Sequence, residues 1–196
     1  MSDATQLWTC RCGQTEIEIE TRGGSRVVCY CEDCQAFARH FGKTDMLDGR
    51  GGSDLYQVLP HQVRFRKGAE HLAAIRLSDK GPARWYAACC DTPMANTWTS
   101  PKLPFATMTA VQFDHAETLG PIQAQAFRRQ AIGYAEKEGS GMGAVYLSFG
   151  RRLLGAYLTG KWRLTPFFDG DGRPKAPFRR LTEDERKAAY DRESTV

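Results

Sequence analysis

The 196-residue sequence contains no uninterrupted apolar run long enough to cross a bilayer. Its longest apolar stretch, Gly141 to Gly160, is broken by Arg151 and Arg152. The opening Met1-Ser2-Asp3-Ala4-Thr5 lacks the apolar centre of a secretion signal, so an exported chain is not expected. The net charge is only +4, and its Lys and Arg residues are scattered rather than clustered. Nucleic acid is therefore not an expected partner, because its footprint is a basic patch on one face. The glycine run Asp48-Gly49-Arg50-Gly51-Gly52 has no Gly-Lys-Ser/Thr ending and reads as a loop, not a phosphate cradle. There is no internal repeat. A composition of 41% hydrophobic and 26% charged residues argues against gross disorder and leaves a globular chain able to bury a real core.

What is present in excess is cysteine. Seven thiols fall into three clusters, Cys10/Cys12, Cys29/Cys31/Cys34 and Cys89/Cys90. Without a secretion signal, a cytoplasmic, reducing setting is expected, where such clusters read as metal ligands rather than disulfides. The run Cys29-Tyr30-Cys31-Glu32-Asp33-Cys34 spaces its thiols C-x-C-x-x-C, suited to one soft cation such as zinc. Three protein ligands leave the fourth position of a tetrahedral ion free. Cys10-Arg11-Cys12-Gly13 is a half-site whose glycine lets the backbone turn around a metal. Joined to Cys89 and Cys90 it would make a closed structural site, giving one or two zinc ions per chain. Adjacent residues of a strand point to opposite faces, so Cys89 and Cys90 share a metal only if the backbone kinks. Otherwise one of them is a small buried apolar residue.

The chain around these clusters predicts short strands at roughly ten-residue intervals. Thr15–Glu20 alternates strictly, with Ile17 and Ile19 facing a core. Arg26–Val28 leads into the trio, and a short helix is predicted over Gln35–Phe41. Further strands are predicted at Leu55–Leu59, Gln62–Arg66, Leu72–Leu77 and Ala83–Ala88, with one or two more within Asn96–Thr99 and Phe105–Phe113. The expectation is a mainly β, antiparallel domain over residues 1–114. A C-terminal α-helical extension over 115–196 would pack on it, α+β overall. Within the extension, Ile122, Ala126, Phe127, Ala131 and Tyr134 form a helical stripe over Pro121–Lys137. Ala144–Leu158 places Val145, Phe149, Leu153, Tyr157, Leu154 and Leu158 along one broad face. That helix is expected to pack on the β domain, since two arginines make a weak basic face for a membrane surface. Thr182 to Glu185 is a capping box. Asp169-Gly170-Asp171-Gly172 lacks the later ligands of a calcium loop and reads as a turn.

The order Cys10-x-Cys12-Gly13, Cys29-x-Cys31-x-x-Cys34, then a late cysteine before Asp91-Thr92-Pro93-Met94 resembles the glutathione-dependent formaldehyde-activating enzyme family, over about residues 7 to 113. The resemblance implies a tent of coiled, mostly antiparallel sheets. It implies a structural zinc on the C-x-C pair with a later pair, and a catalytic zinc on Cys29, Cys31 and Cys34. The implied activity is that of a carbon–sulfur lyase joining glutathione, or a similar small thiol, to formaldehyde or another small aldehyde. A second copy of the chain is a further candidate partner. One departure stands out: aligning Thr92-Pro93 to the family puts the first cysteine of its later C-x-x-C pair at Ala87, whereas this chain has Cys89. Three thiolates leave zinc a weak Lewis acid, which favours thiol chemistry over hydrolysis. Asp33, Glu32 and His40 are candidate proton carriers. The rival reading is a zinc-stapled domain that binds a protein or small-molecule partner without turnover, with the helical tail docking a protein partner. A redox role for Cys31 and Cys34 is weaker, because the βαβ context of a thioredoxin-like motif is missing.

Overall fold

A computed structural model describes residues 5–133, 136–139 and 141–191. Alternation in Glu16-Ile17-Glu18-Ile19-Glu20 (β2, Glu16–Glu20) buries both isoleucines completely and leaves the glutamates toward water. β2 pairs antiparallel with β1 (Thr5–Thr9) and with β5 (Val63–Lys67), making a three-stranded sheet in the order β1-β2-β5. The second sheet has eight strands. Its members are β3 (Ser25–Cys29), β4 (Ser53–Val58), β6 (Leu72–Arg76), β7 (Ala83–Ala87), β8 (Thr92–Thr97), β9 (Ala106–Thr109), β10 (Ala124–Ala126) and β11 (Phe178–Arg180). They lie in the order β10-β3-β4-β9-β8-β7-β6-β11. The fold is mainly β, α+β overall, with no closed barrel among the described residues.

The centre of the large sheet is dry. Every residue of β8 and β9 is buried, as is all of β7 except Tyr86. Trp8, Ile17, Ile19, Trp85, Met94, Met108 and Phe167 join both sheets in one core. Phe167 and Phe168 stack on Trp85 at 5.1 and 5.9 Å between ring centres, so the C-terminal region completes this core. Among the described residues three α-helices accompany the sheets: α1 (Glu32–His40), α2 (Met142–Leu158) and α3 (Glu183–Tyr190). No helix among the described residues is long and apolar enough to cross a membrane.

Four differences from expectation have physical causes. β1 was not anticipated; Trp8 anchors it, its indole N–H donating to Thr109 at 3.1 Å. β8 begins at Thr92, before the expected Asn96, because β7 offers paired backbone from Thr92 onward. Pro121–Lys137 is not a helix. Ile122, Ala124 and Ala126 also satisfy a period of two, and the open edge of β3 takes Ala124–Ala126 as a parallel strand. Phe127, in the left-handed region at φ 56°, ends that strand, and Arg128–Gln130 forms one 3-10 turn; Tyr134 lies outside the described residues. The pairing is also not wholly antiparallel, since β10 joins β3 and β11 joins β6 in parallel. Residues beyond Asp114 therefore supply both edges of the large sheet as well as α2 and α3.

Candidate metal centres

The four-thiol cluster is made by two turns. After β1 the chain reverses through Cys10–Gln14, where the Gly13 N–H donates to the Cys10 carbonyl at 2.9 Å and Gly13 sits at φ 75°. After β7 it reverses again through Ala88–Asp91, with the Cys90 N–H donating to the Ala87 carbonyl at 3.2 Å and Asp91 left-handed at φ 54°. Cys89 and Cys90 thus lie in a turn and not on a strand, so the opposite-face restriction does not apply to them. Ala87 is fully buried as the last residue of β7. The Sγ atoms of Cys10 and Cys12 are 3.6 Å apart, those of Cys10 and Cys89 3.6 Å, and those of Cys89 and Cys90 3.9 Å. All four lie within 4.8 Å of one another. Thiolates at about 2.3 Å from a tetrahedral zinc are separated by about 3.8 Å, so this donor set fits the ion.

The electrostatics agree. Burial would raise the Cys10 thiol, but the Thr15 N–H and the thiols of Cys12, Cys89 and Cys90 outweigh it and bring its pKa down to about 6. Burial, and the neighbouring Cys12 and Cys10, push Cys89 up to about 12. One thiolate is held readily and a second is resisted, as expected of a cradle that needs a cation to ionise fully.

The three-thiol cluster is local. Cys29 ends β3, Cys31 caps α1, and Cys34 lies in its first turn. Their sulfurs also lie within 4.8 Å of one another, and no His, Asp or Glu among the described residues completes a fourth place in that group. The Cys34 N–H donates to Cys31 Sγ at 3.3 Å. Cys29 and Cys34 are buried and Cys31 is half-buried. Cys34 is held well below the usual thiol range by Cys29 and Cys31 and then by Arg84. Cys29 is driven strongly up, first by Cys31 and Cys34.

Arg84 is the residue that sequence reasoning missed. It sits in β7 with its side chain only 3% exposed. Nη1 donates to Cys34 Sγ at 3.4 Å and to Asn96 Oδ1 at 2.9 Å, while Nη2 is 3.6 Å from Asp33 Oδ2. Burial would lower its pKa, but Cys34, Cys31 and Asp33 raise it, so it stays cationic. The signal was a lone arginine between apolar neighbours in Ala83-Arg84-Trp85, where a buried charge demands a partner. Asp33 Oδ1 in turn accepts from the Tyr190 hydroxyl at 2.5 Å, tying α3 to the site.

Of the expected proton carriers, Asp33 is tied to the trio through Arg84. The Glu32 N–H donates to Gln130 Oε1 at 3.1 Å from the first turn of α1. His40 is six residues past Cys34, about 9 Å along the helix; its Nε2 is 3.1 Å from Arg179 Nη2. Beside Cys34 and Arg84 a cavity of about 10 Å³, walled by Ser53, Pro93, Asn96 and Thr109, admits roughly one water. A larger groove of about 520 Å³, lined by Gln6, Glu18, Arg66 and His115 among others, contains no cysteine.

Residues 1–178 match a protein family described as a family of unknown function, DUF6151. No curated protein matches the chain. Among solved structures it is similar to a Rhodobacter sphaeroides protein from a structural-genomics programme, at 20% identity and a TM-score of 0.40, covering 59% of this chain and 96% of that one.

Proposed function

We propose, for a chain that belongs to the DUF6151 family of unknown function, that Cys29, Cys31 and Cys34 hold a zinc ion with one position left for an incoming thiol. The chain then joins a small thiol of the glutathione type to a small aldehyde, in a reducing cytoplasm. One observation carries this reading: the thiols divide into a set of four and a set of three, and the second lacks a fourth donor among the described residues. The motif resemblance to the glutathione-dependent formaldehyde-activating family supports the substrate pair.

In the reaction a carbon–sulfur bond forms, the carbonyl π bond breaks, and the thiol proton ends on the former carbonyl oxygen. No oxidant or reductant is consumed. Zinc, when bound there, would stabilise the incoming thiol as a thiolate near neutral pH. Arg84 offsets the negative charge of the three thiolates and, by donating to Cys34, fixes that sulfur as an acceptor. Asp33, held from two sides by Arg84 and Tyr190, is the carboxylate placed to pass a proton. Cys31 is the half-buried thiol of the three, so substrate approaches from its side.

A second reading has its own support. The cavity at Cys34 has room for water and not for a tripeptide, which suits a binding domain without turnover. The experiment is elemental analysis followed by cobalt substitution. Wild type is expected to carry two ions, and Cys12→Ser and Cys34→Ser one each. Glutathione should then shift the visible bands of cobalt in the Cys12→Ser protein, whose remaining site is the trio, and the wild type should consume formaldehyde. A shift without consumption favours the binding domain. No shift at millimolar thiol rejects an open site.

A further inference from the structure

The helix α2 is built against its own stability. Its sequence, Met-Gly-Ala-Val-Tyr-Leu-Ser-Phe-Gly-Arg-Arg-Leu-Leu-Gly-Ala-Tyr-Leu, carries glycine at 143, 150 and 155. Glycine is the poorest helix former apart from proline. Such glycines are kept where something must approach the backbone closely, yet a Cβ added at any of the three would meet nothing within 4 Å. Nothing among the described residues requires them.

The buried face does not account for α2 either. Among its residues only Val145 and Ala156 are buried. The opposite face exposes Tyr146 by 65%, Leu147 by 58%, Leu154 by 60% and Leu158 by 79%. The expected packing of Leu154 and Leu158 on the β domain is thus not what α2 does. At 3.6 residues per turn, Gly143, Leu147, Gly150, Leu154 and Leu158 form one outward seam, with Tyr146 and Tyr157 along its flank. Arg151 is the charged residue beside it, and α2 contains no acidic residue.

We propose that this seam is the two-fold interface of a homodimer, with α2 packed antiparallel against α2 of a second copy. Self-complementarity selects that occupant. In an antiparallel pair centred between Gly150 and Arg151, Leu158 lies opposite the second copy's Gly143, and Leu147 opposite its Leu154. Gly150 sits at the crossing opposite the second copy's Arg151, and its lack of a side chain leaves room for that arginine's stem. An isologous interface must match itself in this way. The exposed Tyr146, Leu147, Leu154, Tyr157 and Leu158 side chains of α2 present on the order of 600 Å² per copy; that approaches the ~800 Å² per partner of a stable interface and reaches the upper limit for a monomer's largest patch. A lipid surface would use leucines and several lysines or arginines, and has no use for Gly143 and Gly150 on the same face.

Sedimentation velocity on the full chain tests this. The expected species at about 50 µM is a dimer of about 44 kDa, twice the 21.9 kDa of one chain. Gly150→Leu is the discriminating variant, because the monomer has room for it and its helix gains propensity. It should fold at least as well by circular dichroism, retain its metal, and dimerise at least about tenfold more weakly. Leu147→Arg with Leu154→Arg should be monomeric. A wild type that is monomeric at that concentration overturns the proposal, as does a dimer unchanged in both variants. Wild-type monomer that floats with vesicles of phosphatidylserine and phosphatidylcholine would assign the face to a membrane instead.

Discussion

The two thiol clusters share one chemistry and stand in opposite relations to the chain. The set of four joins Cys10 to Cys89, 79 residues apart, and it links the β1–β2 turn of the small sheet to the β7–β8 turn of the large one. Cross-linking so long a loop removes far more freedom from the unfolded chain than closing a short one. The set of three spans Cys29 to Cys34 and fastens nothing distant. It lies instead at the N-terminal end of α1, beside the buried Arg84, which donates to Cys34. The first cluster is accounted for once its role as a staple is granted. The second closes no such span, so the same account does not extend to it.

The sharpest way to break this comparison is to remove one thiol from each cluster. Cys10→Ser and Cys34→Ser should each lose one metal ion. Loss of the staple should cost about 4 kcal/mol, a fall in Tm of about 8–16 °C for a chain of this size. Cys34→Ser should lower Tm by only a few degrees, roughly 1 kcal/mol. Equal losses in paired thermal melts would show that the trio is a structural site as well.

Arg84 tests the second half of the comparison. Arg84→Met leaves Asp33 and the Cys34 thiolate without their buried cation, which should cost about 2–4 kcal/mol in urea unfolding. Metal retention at the trio should fall while the set of four keeps its ion. Arg84→Lys should recover only part, because one ammonium cannot span Cys34, Asn96 and Asp33 as the planar guanidinium does. If both variants retain the trio's metal like wild type, Arg84 serves the core and not the site.

How far such sites can be read from sequence depends on how local they are. The thiol spacings of Cys29–Cys34 and Cys10–Cys12 lie within a few residues, and the structure brings each set together. The capping box at Thr182 and Glu185 forms both of its hydrogen bonds for the same reason. Arg84 reaches Cys34 across 50 residues, and only the assembled sheet creates that contact. The misread helix at Pro121–Lys137 was decided by an unpaired edge of β3, which the segment's own periodicity does not encode. On α2 the helix itself was legible, but which side it buries was not. That side is set by what the sheet and its loops offer: Val145 packs on Val27 and Ala124, Phe149 meets Phe105 edge-on at 5.7 Å, and Arg152 donates to Gln57.

The smallest expected effect lies at the far end of α1. Burial, then the Arg179 charge, lower the His40 pKa below its ordinary value. Neutral His40 accepts from Arg179 through Nε2, and a protonated ring there would set two cations against each other. A histidine with a depressed folded pKa is neutral in the fold and binds a proton more readily when unfolded. Its contribution is therefore intact above about pH 6.5, the unfolded value, and is lost as the pH falls from there toward the folded pKa. Acid also strips zinc from thiolates, so wild type alone cannot isolate the effect. His40→Gln keeps an acceptor for Arg179 and does not titrate. Urea unfolding of both proteins at pH 7.5 and 5.5 should show a difference that opens in acid, with the glutamine variant the more stable there. A gap that stays constant between the two pH values would remove His40 from the account and leave the acid sensitivity to the thiols alone.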